Sequence, residues 1–276
     1  MLLSPLVIFT EPLGLLIRDG RPAWSDAEEA LAELAQRKVP LVFVSRGTRM
    51  ELEFVRRKIE NQHPFLTENG GALFIPHGYF SARIPDARTT TREYHSILYG
   101  RPYEEVTDAL EEIAAETGVD AVGFHQMSAR ETAENSGLPP KMAQLARMRE
   151  FDEPFFIAGE TPEAIARFEA AAAARGFRCY RGERFWHLTA GADAGRGLRR
   201  LMDLYRAERR TRMRGVAIGF RLSELPVLAA AQQSVLLPGD GGEFDAELVE
   251  RLPGARRSAR GGAAGWNEVV LELLAS

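Results

Sequence analysis

The residues best suited to chemistry directly follow three apolar runs that have the character of buried strands. They are Thr10 and Glu11 after residues 6–9, Ser45 and Arg46 after residues 40–44, and Phe220 and Arg221 after residues 214–219. In doubly wound α/β sheets, ligands bind at the carboxyl ends of the central strands. A carboxylate, a hydroxyl and two guanidinium groups are therefore expected to converge on one site.

Glu11 is the most reactive of these groups, but its surroundings are unusual for a catalytic loop. The sequence after the first strand reads EPLGLL, so a proline and leucines stand where chemistry favours polar side chains. The loop is either an active-site loop or the remnant of one. Taken alone, the acids have simpler explanations, Glu11 as a solvated loop residue and Glu224 as an acid at a helix start. Ser45 could likewise be a serine that only ends a strand.

Strand and helix signals alternate along the chain, which indicates a parallel sheet with crossover helices. Residues 1–81 predict a β-α-β-α-β unit, and residues 184–276 resume this pattern. Residues 82–183 have a different texture, with short strands and with helices such as the one that Gly118 closes. The predicted fold class is α/β: a doubly wound, mostly parallel core sheet from 1–81 and 184–276, with an inserted α+β cap domain at 82–183.

Several helix starts are marked by residues that satisfy free backbone N–H groups. A Ser or Thr followed three residues later by Glu has the spacing of a capping box. This spacing occurs at Ser25, Thr48 and Ser128, and Thr161 is followed by Pro162, a residue favoured at the first helical position.

Composition sets limits on the class of protein. The chain has 276 residues, 45% hydrophobic and 27% charged, with a net charge of −4, which is ordinary for a globular protein and argues against nucleic acid as a partner. No apolar run approaches the roughly 18 residues of a membrane helix, and no signal peptide is recognised. We expect a cytoplasmic protein without a membrane partner. The single cysteine, Cys179, excludes an internal disulfide and is expected to be structural.

The three strand ends together resemble those of the haloacid dehalogenase (HAD) superfamily, which has a Rossmannoid core. Longer segments narrow this resemblance to the mannosyl-3-phosphoglycerate phosphatase family. They are PLVFVSRGTRMELEFVRRKIENQHPFLTENGGALFIPHGYF, ARMREFDEPFFIAGE, RFWHLTAGADAGRG and the terminal GWNEVVLELL. The similarity covers nearly the whole chain.

The resemblance implies a set of catalytic positions, most of which are altered in this chain. The family uses a nucleophilic aspartate, a second aspartate as acid and base, a serine and a lysine for the phosphoryl group, and aspartates for Mg²⁺. The matching positions are Glu11 for the nucleophile, Leu13 for the acid/base, Leu15 for a threonine, Ser45 for the serine, Ala194 for the lysine with Arg196 two residues on, and Phe220 and Glu224 for the metal-binding acids.

These changes predict a large loss of catalysis. Glu11 is longer than aspartate by one methylene, and a misplacement of about 1 Å costs roughly 100-fold. Leu13 cannot transfer a proton, a loss of roughly 10² to 10⁴. Since Phe220 removes an oxygen ligand, we expect no metal, with Glu11 and Glu224 the only candidate ligands. Our hypothesis is that Arg46 or Arg221 forms an ion pair with Glu11 or Glu224 in place of the metal.

The segments that the resemblance assigns to substrate recognition are better preserved than the catalytic positions. The predicted substrate-binding residues are Arg46, Glu68, Asn69, Gly70, Arg149, Glu153, Arg184, His187 and Arg221. Arg149 could pair bidentately with a glycerate carboxylate, and nearby acids could accept sugar hydroxyl bonds. The alternative is that these residues only support the fold.

Two functions follow from these observations. The first is a binding or regulatory protein, catalytically inactive or strongly impaired, that holds a phosphorylated sugar–glycerate or similar phosphoester between core and cap, or that has become a surface for a partner protein. The alternative is an active Mg²⁺-dependent phosphatase that hydrolyses mannosyl-3-phosphoglycerate or a related sugar phosphate. The site must decide between them, because the fold alone does not confer a function.

Overall fold

The computed structural model describes residues 5–276. Its strands are β1 Leu6–Thr10, β2 Ile17–Arg18, β3 Arg21–Pro22, β4 Leu41–Val44, β5 Phe65–Thr67, β6 Ala72–Pro76, β7 Arg88–Thr89, β8 Tyr94–Leu98, β9 Ala121–Gly123, β10 Asp152–Ile157, β11 Arg178–Arg181, β12 Trp186–Thr189, β13 Arg214–Gly219, β14 Gln233–Leu236 and β15 Arg256–Arg257. Its α-helices are α1 Glu28–Gln36, α2 Arg49–Lys58, α3 Tyr103–Thr117, α4 Ala129–Ser136, α5 Pro140–Ala146, α6 Pro162–Ala174, α7 Ala194–Arg209, α8 Leu225–Ala230, α9 Ala246–Arg251 and α10 Gly262–Ala275.

The larger sheet has nine strands in the order β15-β14-β13-β1-β4-β5-β6-β8-β7. The strands from β15 to β5 are parallel, and those from β5 to β7 are antiparallel. Helices α1, α2 and α10 pack on one face with Ile8, and helices α7, α8 and α9 pack on the other with Phe9. The prediction of a doubly wound, mostly parallel α/β core is confirmed.

Strand β1 lies at the centre of this sheet, between β13 and β4, and pairs in parallel with both. The continuous apolar run of β1 is wholly buried, as expected for a strand covered on both faces. Because parallel strands end at the same edge of a sheet, the loops that begin at Glu11, Ser45 and Phe220 meet there. The predicted convergence of the three strand ends is therefore confirmed.

A second sheet has four strands in the order β11-β12-β10-β9. Helices α3 and α6 pack on one of its faces around Phe155 and Phe168. Its other face carries Phe156 in a smaller cluster with Phe124 and Phe185, close to α5. Successive residues of β10 therefore point alternately toward α3 and toward the first sheet, as the pleat requires.

The change from one sheet to the other does not fall at residues 82 and 184. Strands β7 and β8 belong to the nine-stranded sheet, because Tyr94–Leu98 pairs with β6. Strand β12, which carries His187, pairs with β10 and β11 of the four-stranded sheet. The interpretation of the strand around His187 as a core strand is wrong for this reason.

Most of the expected helix starts are formed. Thr48 and Ser128 each complete a capping box, and the Thr161 side chain accepts a hydrogen bond from Ala164 N. The capping box at Ser25 is not formed, because Ser25–Ala27 makes a 3₁₀ turn without a side-chain cap and α1 begins at Glu28. Within residues 5–276, no helix combines the length and apolar character that crossing a membrane would need.

Candidate functional site

The Glu11 carboxylate is buried just after β1. Groups of the loop after β1 and of the loop after β4 donate hydrogen bonds to its two oxygens. Oε1 accepts hydrogen bonds from Leu13 N at 2.9 Å and Ser45 Oγ at 2.6 Å, and Oε2 accepts one from Arg46 N at 3.0 Å. Burial raises the pKa of Glu11, although Arg46 and these hydrogen bonds oppose the effect. The extra methylene of glutamate thus lets the carboxylate reach back to the β4 loop.

Ser45, the predicted phosphate-binding serine, is occupied by the same contact. Its hydroxyl donates to Glu11 and accepts a hydrogen bond from Gly47 N at 3.0 Å. The space beside Glu11 and Ser45 is a gap of about 20 Å³ that Ala194 and Glu224 also border. A single water needs about 10–15 Å³ on this measure, so the gap admits about one water and no phosphoryl group.

Glu224 lies on the far side of this gap and is anchored by backbone groups. Its Oε2 accepts hydrogen bonds from Phe220 N at 2.7 Å and Arg221 N at 3.3 Å, and its shielded Oε1 has no hydrogen-bond partner among residues 5–276. Burial, with the nearby Glu11 carboxylate adding to it, raises the pKa of Glu224 to about 7. The neutral acid is therefore favoured up to neutral pH.

This raised pKa predicts that the protein loses stability as the pH rises. The protonated Glu224 contributes fully below its unfolded pKa of 4.5, and the contribution is lost as the pH passes through about 7. A shift of this size corresponds to about 3 kcal/mol in the free energy of unfolding. Urea unfolding at pH 5, 6, 7 and 8 should show this fall, and Glu224→Gln should make it shallower.

The matched control for Glu224 is Glu243→Gln, which neutralises an exposed carboxylate of the same length. This variant should keep the slope of the unmodified protein. An unchanged slope in Glu224→Gln would contradict the assignment of the titration to Glu224.

The residues around the gap do not fit the Mg²⁺ that the resemblance implies. Mg²⁺ needs octahedral oxygen ligands and keeps several waters. Here the Glu11 oxygens face three hydrogen-bond donors, Phe220 replaces one acid, and the gap admits about one water. Among residues 5–276, no three His, Cys, Asp or Glu side chains are grouped so that they could hold a metal ion.

Leu13 and Phe220, the residues at the lost acid/base and metal positions, serve as packing residues. Both are partly buried against the apolar cluster on the α1–α10 face of the sheet. Leu13 also lies against Gly47: a Cβ added to Gly47 would come within 2.5 Å of Leu13 Cδ1. Both side chains therefore pack against apolar neighbours.

Arg46 and Arg221 do not form the expected ion pairs with Glu11 or Glu224. Both guanidinium groups instead meet Glu183, which precedes β12 in the four-stranded layer. Arg46 Nη1 lies 3.1 Å from Glu183 Oε2, and Arg221 Nε contacts Oε1. Burial alone would raise the pKa of Glu183, but the two arginines outweigh it and hold that pKa below its usual value. The hypothesis was wrong because the competing carboxylate comes from a distant loop.

A larger cavity of about 230 Å³ lies between the two layers. Its charged and polar wall contains Arg46, Arg149, Glu183, Arg184, His187 and Arg221, and part of its apolar wall is formed by Phe124, Leu138, Met142 and Phe185. Arg46 borders both this cavity and the small gap beside Glu11. The structure therefore brings five of the predicted substrate-binding residues together, but in a cavity that Glu11 does not border.

Two of these five residues are held by a buried acid that was not predicted as a site residue. Asp152 Oδ1 accepts from Arg149 Nη2 at 2.8 Å and lies 2.9 Å from His187 Nδ1. Arg149 Nη1 also donates to the Arg46 carbonyl at 2.9 Å. Burial alone would raise the pKa of Asp152, but His187 and Arg149 outweigh it and hold that pKa below its usual range. Arg149 is thus engaged within the protein rather than free to bind a glycerate.

Glu68 and Asn69 connect the two layers instead of lining the larger cavity, whereas Gly70 lies against helix α7 of the nine-stranded layer. Glu68 is fully buried and its Oε2 accepts from three consecutive N–H groups, those of residues 150–152, at 3.2, 2.8 and 2.9 Å. Asn69 Nδ2 donates to Tyr180 Oη at 2.5 Å. Gly70 has a φ of +91° and lies very close to the Ala194 backbone. A Cβ added to Gly70 would come within 2.1 Å of the Ala194 nitrogen.

Glu153 and Arg184 complete the predicted set, with different outcomes. Glu153 points toward α3, where it accepts from Tyr103 Oη at 2.5 Å and lies 2.6 Å from His125 Nδ1. It is excluded from the cavity because it alternates with Asp152 along β10. Arg184 lines the cavity and donates to the Ser136 carbonyl.

Comparisons with known proteins identify relatives of this chain. No family model matches the chain. The glucosyl-3-phosphoglycerate/mannosyl-3-phosphoglycerate phosphatase of Methanococcoides burtonii is 32% identical over 268 residues, covering 97% of each chain. The protein of the same name from Persephonella marina is 30% identical over 272 residues, covering 98% of this chain and 97% of its own.

The chain belongs to the mannosyl-3-phosphoglycerate phosphatase family.

Solved structures named as haloacid dehalogenase-like hydrolases share the fold of this chain. A haloacid dehalogenase-like hydrolase from Bacteroides thetaiotaomicron superposes with a TM-score of 0.65 at 14% identity, covering 98% of this chain and 100% of that one. Another from B. subtilis gives 0.65 at 13% identity, covering 96% and 99%. The predicted HAD-like core is confirmed by this likeness, which concerns the fold.

Glu183 is the site residue that the sequence of this phosphatase-family member gave least reason to expect. It stands in the loop GER between two strands, a position typical of a solvated turn. Asp152 lies inside the preserved REFDEPF segment next to Glu153, the residue that the sequence predicts for the site. The alternation of a strand beginning at residue 152 would have placed Asp152 beside Pro154 on the cavity face.

Proposed function

We propose that this member of the family binds a phosphorylated sugar–glycerate or a similar phosphoester in the cavity between core and cap and does not turn it over at a phosphatase's rate. The observation that carries the proposal is the state of Glu11. Its oxygens are engaged by Leu13, Ser45 and Arg46, and it borders a gap of about 20 Å³ rather than the larger cavity.

The charge of the larger cavity supports an anionic ligand. Arg46, Arg184 and Arg221 line it together with three acids, Asp19, Glu51 and Glu183. Arg149 lines it as well, but Asp152 already holds that guanidinium. Guanidinium groups bind phosphate and carboxylate through paired, charge-assisted hydrogen bonds. A ligand with a phosphate and a carboxylate would complement this wall, and its sugar would face Phe124 and Phe185.

The rate expected of such a site is low. Misplacement of the attacking oxygen costs roughly 100-fold, and the missing acid/base costs at least another 100-fold or so, together roughly 10⁴. Leu13 occupies the acid/base position, and the groups that bond Glu11 are Leu13 N, Ser45 Oγ and Arg46 N, none of them a carboxylic acid.

An active phosphatase is the second candidate, since the family's characterised members carry that name. Its support is that Glu11, Ser45 and Glu224 still border one gap. In that case Glu11 would leave Ser45 and Arg46 to attack phosphorus, and the activity would depend on Mg²⁺ and be inhibited by vanadate.

Phosphate release from mannosyl-3-phosphoglycerate by the purified protein with Mg²⁺ separates the two candidates. We expect no release above a heat-inactivated sample, with Glu11→Ala indistinguishable from the unmodified protein. Glu134→Gln, which alters an exposed carboxylate on α4, controls for charge change. Release that disappears in Glu11→Ala would establish the phosphatase instead.

A further inference from the structure

Two arginines from different core loops converge on one carboxylate of the cap. Arg46 follows β4, Arg221 follows β13, and Glu183 connects β11 to β12. Each arginine contacts a different Glu183 oxygen. The Glu183 side chain is 49% exposed, against 29% for Arg46 and 20% for Arg221. The arginines are thus the fixed part of this contact, and the glutamate is the more accessible part.

The Arg221 guanidinium is positioned by the core without help from Glu183. It lies 4.1 Å from the Phe220 ring centroid, and its Nη1 donates to the Leu13 carbonyl at 3.2 Å. It also lies against Gly14, which has a φ of +92°. A Cβ added to Gly14 would come within 2.4 Å of Arg221 Nη1. Glycine is the residue that permits both this backbone and this close approach. Contacts within the core therefore hold the Arg221 guanidinium in place whether or not Glu183 is bound to it.

The Arg46 backbone is fixed in a similar way. Its N–H donates to Glu11, and its carbonyl accepts from the buried Arg149. Burial by itself would lower the pKa of Arg46, but Glu11 and Glu183 more than compensate and raise it. Arg46 consequently remains a charged guanidinium at the edge of the cavity.

We propose that Arg46 and Arg221 form a phosphate-binding site separate from the family's phosphoryl position, and that Glu183 occupies it until a phosphomonoester dianion displaces it. The proposal rests on the proposed function, since it names where that ligand's phosphate binds. A carboxylate held by two guanidinium groups presents oxygens as a phosphate does. The site beside Glu11 and Ser45 is closed to the same group, because its gap admits about one water.

The charge of the ligand decides whether displacement is favourable. An incoming monocarboxylate would only replace the Glu183 carboxylate with an equivalent group. A phosphomonoester brings about two negative charges and three acceptor oxygens, and therefore gains by the exchange. Arg184 lines the same cavity and adds a further positive charge to it.

The cavity size agrees with displacement. Its volume of about 230 Å³ is below the roughly 300–1,000 Å³ of most ligand sites. Departure of Glu183 would break the ion pairs that join core and cap at this edge, and would enlarge the cavity. Binding of the phosphate would thus be coupled to the position of the cap.

The test is calorimetric titration of the whole protein with inorganic phosphate and, separately, with acetate at constant ionic strength. Glu183→Gln should tighten phosphate binding about tenfold, equivalent to about 1.4 kcal/mol, and Arg221→Gln should weaken it by a similar factor. Phosphate should bind Glu183→Gln more tightly than acetate does. Glu134→Gln, another cap carboxylate paired with an arginine, is the matched control.

The outcomes separate this inference from the proposed function. Phosphate affinity that is unchanged in Glu183→Gln, or that depends on Ser45→Ala and not on Arg221→Gln, would overturn the two-arginine site. Mannosyl-3-phosphoglycerate is titrated in parallel: binding that ignores both substitutions would leave the proposed function and refute the inference. If mannosyl-3-phosphoglycerate does not bind at all but inorganic phosphate still binds Glu183→Gln more tightly than the unmodified protein, only the proposed function is refuted. Since Glu183 is half-exposed, Glu183→Gln decides the matter even if Arg221→Gln unfolds.

Discussion

Replacing Asp152 by alanine is expected to lower the free energy of unfolding by about 3–5 kcal/mol, because it leaves the Arg149 guanidinium buried without its partner. The two side chains are 0% and 5% exposed and pair at 2.8 Å. Asp152 is also the acid that holds His187. Urea unfolding at pH 7, followed by circular dichroism, measures the loss.

Asp203→Ala is the matched control for this substitution. Asp203 pairs with Arg206 at 2.9 Å with the same three-residue spacing, but the side chains are 62% and 41% exposed. Exposed pairs contribute about 0–1 kcal/mol, so this variant should be nearly as stable as the unmodified protein. Equal losses in the two variants would mean that burial of the Asp152–Arg149 pair does not matter.

Replacing Glu68 by alanine is expected to cost about 3 kcal/mol or more, because it removes the acceptor of three backbone N–H groups. Each unpaired buried donor costs about 1–3 kcal/mol. Burial raises the pKa of Glu68 to about 8, so the lost hydrogen bonds and not a lost charge account for the effect at pH 7. Backbone strain is unchanged, since alanine meets the φ of +49° no better than glutamate does.

Two further variants make the Glu68 experiment specific. Glu68→Gln keeps an acceptor oxygen and should lose less than Glu68→Ala. Glu131→Ala also removes a carboxylate bound to a backbone N–H, that of Ser128, but at an exposed position, and should cost about 1 kcal/mol or less. If Glu68→Ala is no worse than Glu131→Ala, the contact between Glu68 and residues 150–152 is not a main link between the nine-stranded and four-stranded layers.

The features that sequence reasoning predicted correctly are those set by short-range physics. The apolar run of β1 requires burial on both faces, which places it inside a parallel sheet. Thr48 and Glu51 satisfy each other's backbone N–H groups within one turn, so their capping box needs no distant partner. Ser25 has the same spacing, but its segment turns as a 3₁₀ helix before α1, and this outcome depends on packing against α10.

The features that were missed depend on which distant segments meet. The sequence 184–189 was correctly interpreted as containing a strand, but the sheet it joins depends on pairing with β10, about thirty residues earlier in the chain. Residues 94–98 fell within the range predicted for the cap, but they form β8 and pair with β6 of the nine-stranded sheet. Neither pairing leaves a mark within the strand itself.

The site shows the same division. That Glu11, Ser45 and Arg46 come together followed from parallel strand ends. That Glu11 would bind back to the Arg46 N–H, and that Arg46 would instead pair with Glu183, could not be predicted, because each contact depends on a side-chain path of a few ångströms. The hypothesis of an internal ion pair in place of the metal was therefore correct about the two arginines and wrong about the acid that they bind.

The most direct test of the account is a ³¹P NMR spectrum of mannosyl-3-phosphoglycerate mixed with an equal amount of the protein and Mg²⁺, followed over hours. We expect the phosphomonoester signal to shift or broaden on binding, to remain at full intensity, and to return to its free position when excess inorganic phosphate competes. An inorganic phosphate signal that grows with the unmodified protein and not with Glu11→Ala would contradict the account.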